Sequence, residues 1–319
     1  MQEFIFYISV LLLGTILVGF LRKIFLERSI VGIDINKPNK PLIPESLGMA
    51  VLANIVLGII ILNDIPIELR FLFLGTVAFF AIFGCIDDIR PKFRSRQISW
   101  TKRAAIVAVG SLALGYFYYS KLGINFFGTL TAIFIAIYIA ALASLQNTFA
   151  GLNGWEVGSG FIISGFVCFL LWNTPLKYLA LLLNASILAL LAFNVYPAKV
   201  FPGDSGTLLI GSGIASLLVL SNNPKLLLIG ALFYIPHAID FFILKLITNP
   251  KDPSQEKEKP YALDAEGKIT IPKYKGKIKY DFAKLLLRIF GPQKEYIIVL
   301  IIWAIVLLNC CLTLLLFGV

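Results

Sequence analysis

Apolar residues in this chain fall in long unbroken runs, not in the alternation of a strand or the single stripe of a surface helix. The runs lie at residues 4–21, 47–63, 68–86, 104–119, 125–143, 157–173, 176–194, 206–221, 225–246 and 295–317. About 20 such residues carry a helix across the hydrocarbon layer. The alternating segments of about ten residues that mark a membrane barrel do not occur, and lipid admits only helices and closed barrels. The pattern predicts an all-α polytopic membrane protein, one integral domain over residues 1–319, with ten crossings and both termini on one side. The first run is too long for a signal-peptide core and no small-residue cleavage pattern follows it, so it reads as a retained helix.

One polar stretch is long, residues 247–293 between the ninth and tenth runs. Its first part, Lys251 to Lys259, is charged and reads as flexible. Ile269 to Tyr280 alternates around Gly276, which predicts a short hairpin. Asp281 to Phe290 reads as an amphipathic helix on the membrane surface, with Phe282, Leu285, Leu286 and Ile289 on one side. Such a basic flap could steady an anionic substrate, or simply be drawn to anionic lipid.

Composition agrees with the pattern. Of 319 residues, 58% are hydrophobic and 14% charged, against about 25% charged in soluble domains; mean hydropathy is +0.86. A water-soluble fold is excluded. The net charge of +10 does not indicate nucleic acid, because the basic residues sit between apolar runs. Of the 28 Lys and Arg, 24 fall in the connections after odd-numbered runs and only Arg70, Lys121, Lys177 and Lys225 on the other side. The positive-inside bias puts the odd connections in the cytosol and the termini opposite. Those same connections hold Asp34, Glu45, Asp87, Asp88, Glu156 and Asp204, so any active site is expected on the cytosolic face. Cys85, Cys168, Cys310 and Cys311 lie in apolar stretches without metal-ligand spacing, which predicts no disulfide framework.

Several short stretches could carry chemistry. Asp87-Asp88 closes the third run; paired carboxylates at a membrane boundary suggest a divalent metal, a proton acceptor, or a helix end neutralised by nearby arginines. Ser144 to Glu156 is dense in amides and glycines, with Asn147, Gly151, Asn153, Gly154 and Glu156 offering metal or nucleotide contacts, or else forming a polar turn. Asp204, before the eighth run, is a metal ligand or a helix cap. Glu45 follows Asp34-Ile-Asn36-Lys37 and precedes Gly48, where it could serve the helix dipole alone. His237 is the only histidine and lies three residues from Asp240, which as an intramembrane acid requires a partner.

Taken in order, Asp34-x-Asn36-Lys37, Ile43-Pro44-Glu45-Ser46-x-Gly48, Asp87-Asp88, Asn147-x-x-Ala150-Gly151-x-Asn153-Gly154-x-Glu156 and Asn194-x-Tyr196-Pro197-x-x-Val200-Phe201-x-Gly203-Asp204 resemble one family. It is the polyprenyl-phosphate N-acetylhexosamine-1-phosphate transferases, most nearly the archaeal and eukaryotic branch that loads N-acetylglucosamine-1-phosphate onto dolichyl phosphate. The resemblance spans Asp34 to Asp240. It implies ten helices in the cell membrane of an archaeon and a homodimer. It also implies transfer of the sugar phosphate from UDP-N-acetylglucosamine to polyprenyl or dolichyl phosphate, with release of UMP, the first membrane step of lipid-linked oligosaccharide assembly. Magnesium is the implied cofactor, with manganese as a substitute.

By the same resemblance Asn147 and Asp204 hold the metal, and Asp87 and Asp88 are catalytic, Asp87 as a base or as a helper of the metal site. Asn153 reads uridine between Gly151 and Gly154, Glu45 lines the nucleotide-sugar site and Lys102 contacts phosphate. Glu156 and Asn194, inside the matching motifs, complete the substrate-binding set. The lysine-rich stretch 251–279 stands where the family has an Arg- and His-containing sugar-recognition sequence, and a single histidine argues against the muramyl substrates of bacterial relatives. The competing class is a transporter or flippase for a lipid-linked or anionic substrate. Carriers place their sites at mid-membrane, whereas the polar residues here gather at one face.

Overall fold

Each of the ten apolar runs folds as helix. The computed structural model describes residues 1–93, 98–248, 261–272 and 279–319. Helix α1 (Gln2–Glu27) leads through a two-stranded antiparallel ladder, β1 (Val31–Ile33) and β2 (Leu42–Pro44), into α2 (Gly48–Ile61). Then follow α3 (Ile67–Phe93), α4 (Trp100–Leu122), α5 (Thr131–Thr148), α6 (Trp155–Leu170), α7 (Lys177–Asn194), α8 (Gly203–Leu220) and α9 (Pro224–Phe233). Helix α10 (Ile235–Ala238) continues as a π-helix over Ile239–Lys245. A small hairpin, β3 (Ala262–Leu263) and β4 (Ile269–Thr270), precedes α11 (Phe282–Phe290) and α12 (Glu295–Phe317).

Seven of the described helices are long and apolar enough to cross a membrane, or eight if the pair α9–α10, bent by 52°, counts as one span. Helices α2 and α6, at 14 and 16 residues, rise only about 21–24 Å against a core of about 30 Å. The chain is thus an all-α multi-pass membrane protein, while the expected ten crossings are ten helical segments of which seven, or eight with the bent pair, reach spanning length.

Helix α8 forms the axis of the bundle. Every residue from Ser205 to Leu220 is buried, and its many Gly, Ser and Ala residues let α3 and α5 pack closely on it. At Gly84 of α3 a Cβ would sit 2.4 Å from the Ser205 amide nitrogen, so this crossing requires glycine. By contrast α1 fully buries only Val10, Gly14 and Val18 and turns Phe4, Ile5, Leu12, Ile16 and Phe20 outward. Side-chain hydrogen bonds join the helices within the apolar layer, each worth about 0.6 kcal/mol. The Tyr118 hydroxyl meets Thr76 at 2.9 Å and Ser216 at 2.5 Å, tying α3, α4 and α8. Asn54 donates to Ser186 and to the Val10 carbonyl, tying α1, α2 and α7.

One expectation is corrected. Asp240 pairs not with His237 but with Lys245, at 2.7 Å, and accepts from the Phe282 N–H at 2.8 Å. Residues five apart face different sides of an α-helix, but the i→i+5 repeat of a π-helix stacks them. The His237 ring instead packs on Phe149, 4.0 Å between centroids, and Tyr234. A hairpin that the sequence reading did not foresee turns at Asp264–Lys268, where Asp264 accepts from the amides of Glu266 and Lys268. The turn expected at Gly276 lies outside the described residues, as does the charged run Lys251 to Lys259. The expected helix forms as α11, which buries Phe282, Ala283, Lys284, Leu286 and Leu287 and leaves Ile289 exposed. Burial lowers the Lys284 pKa, partly offset by Asp281 beside it. Cys85, Cys168, Cys310 and Cys311 are free.

Candidate active site

The first half of the site forms around the start of α8. Gly203 has φ +65° and a Cβ there would lie 2.2 Å from Asp88 Oδ2, so only glycine permits the turn. The space it leaves admits the Asp88 carboxylate, which accepts from the Asp204 N–H at 2.9 Å and the Ser205 N–H at 3.2 Å. Asp88 therefore caps α8 from another helix, supplying acceptors for orphan amides and a charge that suits the helix dipole. Asp87 is one residue earlier, about 100° around α3, and takes another direction. Its Oδ2 lies 2.9 Å from Arg103 Nη1, while Nη2 of the same guanidinium bonds Asp204. Asn147, in the last turn of α5, and Asp87 both lie against the Asp204 carboxyl. The Asn147 amide oxygen accepts from the Thr207 hydroxyl at 2.6 Å. Glu45, just after β2, is close enough for its charge to act on Asp88.

Among the described residues, this acid pole sets three carboxylates, Asp87, Asp88 and Asp204, against one guanidinium. Negative charge at a partly buried locus demands cations. Among the described residues no three acidic, His or Cys side chains form a ready-made metal cage. A hard divalent ion does not need one: magnesium commonly takes one or two carboxylates and completes its shell with water and substrate phosphates. Asp87 and Asp204 converge on a single cation, at present the guanidinium, and the Asn147 oxygen keeps a lone pair beyond its bond to Thr207. This all-oxygen donor set fits magnesium.

The second half is a cavity of about 310 Å³ between the β1–β2 connection and the α5–α6 turn. Asp34, Asn36, Gly151, Asn153, Glu156, Asn194 and Phe201 line it. Gly154, at φ +87°, caps α6 and turns the chain so that Asn153 faces the cavity. The Asn153 Nδ2 donates to Asp34 at 2.9 Å and its backbone N–H donates to Glu295 at 2.8 Å. Lys37 lies 3.2 Å from Asp34 and bonds Glu295, with its ammonium 4.7 Å from the centre of the Tyr196 ring. Asn194 donates to the Val200 carbonyl, which fixes the loop carrying Phe201. The hairpin reaches the same wall, since a Cβ at Gly151 would lie 3.0 Å from the Tyr261 hydroxyl.

The structure thus gathers Asp87, Asp88, Asn147 and Asp204 with Glu45 beside them, and places Gly151, Asn153, Glu156 and Asn194 around the cavity. Lys102 is exposed on the first turn of α4; its neighbour Arg103 is the residue that enters the acid pole. Sequence reasoning missed Arg103 and Glu295, and gave Asp34 and Lys37, though both stand in a matching motif, no role. The one available signal for Glu295 was an acid heading the most apolar run of the chain.

Comparison with known proteins gives the family. A model described as glycosyl transferase family 4 matches residues 70–222, the stretch from Asp87 to Asp204 included. A chain of Methanocaldococcus jannaschii, provisionally named a glycosyltransferase, is 31% identical over 307 residues, 95% of this chain and 92% of its own length. One of Saccharolobus solfataricus is 33% identical over 290 residues, 86% of this chain and 84% of its own. That chain carries the provisional name UDP-N-acetylglucosamine–dolichyl-phosphate N-acetylglucosaminephosphotransferase. A phospho-N-acetylmuramoyl-pentapeptide-transferase of Shouchella clausii is 31% identical over 198 residues, 57% of this chain and 60% of its own. With two relatives above 30% identity over most of both lengths, the chain belongs to glycosyl transferase family 4.

Proposed function

We propose that this protein transfers N-acetylglucosamine-1-phosphate from UDP-N-acetylglucosamine to a polyprenyl or dolichyl phosphate at the cytosolic face of the cell membrane. The observation that carries the reading is the meeting, at one end of an apolar bundle, of a cation-demanding acid pole and an amide-lined cavity. A nucleotide sugar has the matching halves, a diphosphate and a neutral base.

In this reading a phosphate oxygen of the lipid attacks the β-phosphorus, the bond from that phosphorus to the bridging oxygen breaks, and UMP leaves with the electron pair. A phosphate monoester has its second pKa near 6, so the nucleophile is already largely dianionic at neutral pH. Asp87 then need not act as a base. Its task is to hold Arg103 and, with Asp204 and the Asn147 oxygen, the magnesium; manganese has the same hard-oxygen preference. Bound there, the ion would neutralise diphosphate charge, the usual demand of phosphoryl transfer. Asp88 fixes the start of α8 and so the direction of Asp204. Arg103 offers two N–H groups suited to phosphate oxygens. Asn153, Glu156, Asn194 and the Gly151 turn receive the uridine, and Glu45, whose charge reaches Asp88, serves the nucleotide-sugar site from beside the acid pole. The absence of a second histidine beside His237 supports the N-acetylglucosamine branch over muramyl substrates.

The test is UMP release from UDP-N-acetylglucosamine and a polyprenyl phosphate by the detergent-purified chain. Release is expected with magnesium and not after its removal by EDTA, and is expected to return on adding magnesium or manganese. No UMP from well-folded protein with magnesium present would favour the transporter or flippase reading.

A further inference from the structure

Asn153 has an amide with two chemically opposite ends, a donor nitrogen and an acceptor oxygen, and which end meets a ligand decides what that ligand must be. An ionised carboxylate can only accept hydrogen bonds. With Asp34 Oδ2 at 2.9 Å, the end of Asn153 that faces it must be the nitrogen. The oxygen is left toward the cavity that Asn153 lines, and among the described residues nothing hydrogen-bonds it. Asp34 is buried, with 4% of its surface exposed, and is held by Lys37 at 3.2 Å. Lys37 also bonds Glu295, whose other oxygen takes the Asn153 backbone N–H. Backbone and side chain of Asn153 are therefore both fixed by one chain of charges drawn from the β1–β2 connection and the start of α12.

We infer that Asp34 is a specificity-determining positioning residue: by fixing the Asn153 amide with its oxygen toward the cavity, it selects a base that donates at the ring nitrogen, uracil, and disfavours one that accepts there, cytosine. The inference rests on the proposed nucleotide-binding role of the cavity. Uracil presents N3–H, which Asn153 Oδ1 can accept. Cytosine in the same register presents the N3 lone pair to that oxygen, leaving both acceptors unsatisfied. Replacing Asp34 by asparagine supplies a partner that can donate or accept, so the Asn153 amide can turn over and offer Nδ2 to cytosine.

The experiment measures UMP and CMP binding to the detergent-purified full chain by calorimetry, with magnesium concentration held constant. The unsubstituted protein is expected to prefer UMP. In Asp34→Asn that preference should shrink roughly tenfold, the worth of one properly oriented hydrogen bond, and part of the change should be a gain in CMP affinity, which damage to the fold cannot produce. Asp34→Glu keeps an acceptor and should preserve the preference. In an Asn153→Ala background, Asp34→Asn should alter the UMP-to-CMP ratio no further. If Asp34→Asn does not fold, Asp34→Ser, whose hydroxyl also donates and accepts, carries the same expectation. An unchanged ratio in a folded Asp34 variant would overturn the inference and leave the nucleotide reading standing. Failure of the unsubstituted protein to bind either nucleotide would overturn the nucleotide reading, and the inference with it.

Discussion

Arg103 at the acid pole and Lys37 beside the amide cavity each lie between two carboxylates, yet their surroundings differ. The Arg103 side chain is 35% exposed and its partner Asp204 26%. Lys37 is 13% exposed and Glu295 only 3%. Charge pairs near water are weak and exchangeable, whereas a pair shut away from water resists loss of either member. The Arg103–Asp204 arm of the acid pole is therefore the one that a second cation or an anionic ligand rearranges most readily, while Asp87 is only 5% exposed. The cavity side is fixed in advance, with its cation committed to orienting Asp34, Glu295 and, through them, Asn153. The difference suits a ligand whose diphosphate needs charge that can regroup during reaction and whose base needs a rigid template.

The largest expected effects test the acid pole. Asp87→Asn and Asp204→Asn should each reduce kcat by more than about 100-fold, as loss of a preorganised charge contact commonly does. UMP affinity and melting temperature should hold nearly constant. Asp88→Ala should differ by losing stability as well, by about 1–2 kcal/mol, because it removes the cap from the buried end of α8. Kinetics, UMP titration and thermal melting on the three variants would check this. If Asp204→Asn kept full turnover, the acid pole would not be the reaction centre.

Smaller effects are expected on the cavity side. Glu295→Gln keeps the shape but weakens the hold on Lys37 and on the Asn153 N–H, so KM for the nucleotide sugar should rise about 3–10-fold with kcat little changed. Such a change is the signature of lost ground-state binding. Glu45→Ala should likewise raise KM more than it lowers kcat, by a smaller factor because Glu45 is only partly enclosed. A fall in kcat alone for either variant would erase the contrast between the two halves.

Much of this arrangement is legible in the sequence, for a physical reason. Asp87, Asn147, Glu156 and Asp204 stand at the ends of apolar runs, and hydropathy together with basic-residue bias sorts those ends onto one side before any contact is known. Contacts that depend on helix rotation or on distant pairing are not legible. Lys37 and Glu295 meet across 258 positions without any local signal. The Asp240–Lys245 pair needs a π-helical repeat that a 3.6-residue reading cannot anticipate. The cap that Asp88 places on α8 could not be told from a free carboxylate, because its partner amides belong to a helix 116 positions on.

The smallest predicted effect separates two adjacent basic residues. Lys102 and Arg103 differ by about 100° around α4, a helix that buries little of its surface, so hydropathy offers no guide to which of them turns inward. Family resemblance assigns the phosphate contact to Lys102, while geometry gives the acid pole to Arg103. An exposed lysine can add long-range attraction for an anionic substrate, an effect that salt screens over about 10 Å. Lys102→Ala should therefore raise KM about two- to threefold at low ionic strength and hardly at all at high salt. Arg103→Ala should lower kcat at both, since its contacts with Asp87 and Asp204 lie within hydrogen-bond distance. Measuring both variants at two salt concentrations decides the matter: a salt-independent loss in Lys102→Ala as large as that in Arg103→Ala would return the phosphate contact to Lys102 and leave Arg103 as a structural counter-ion.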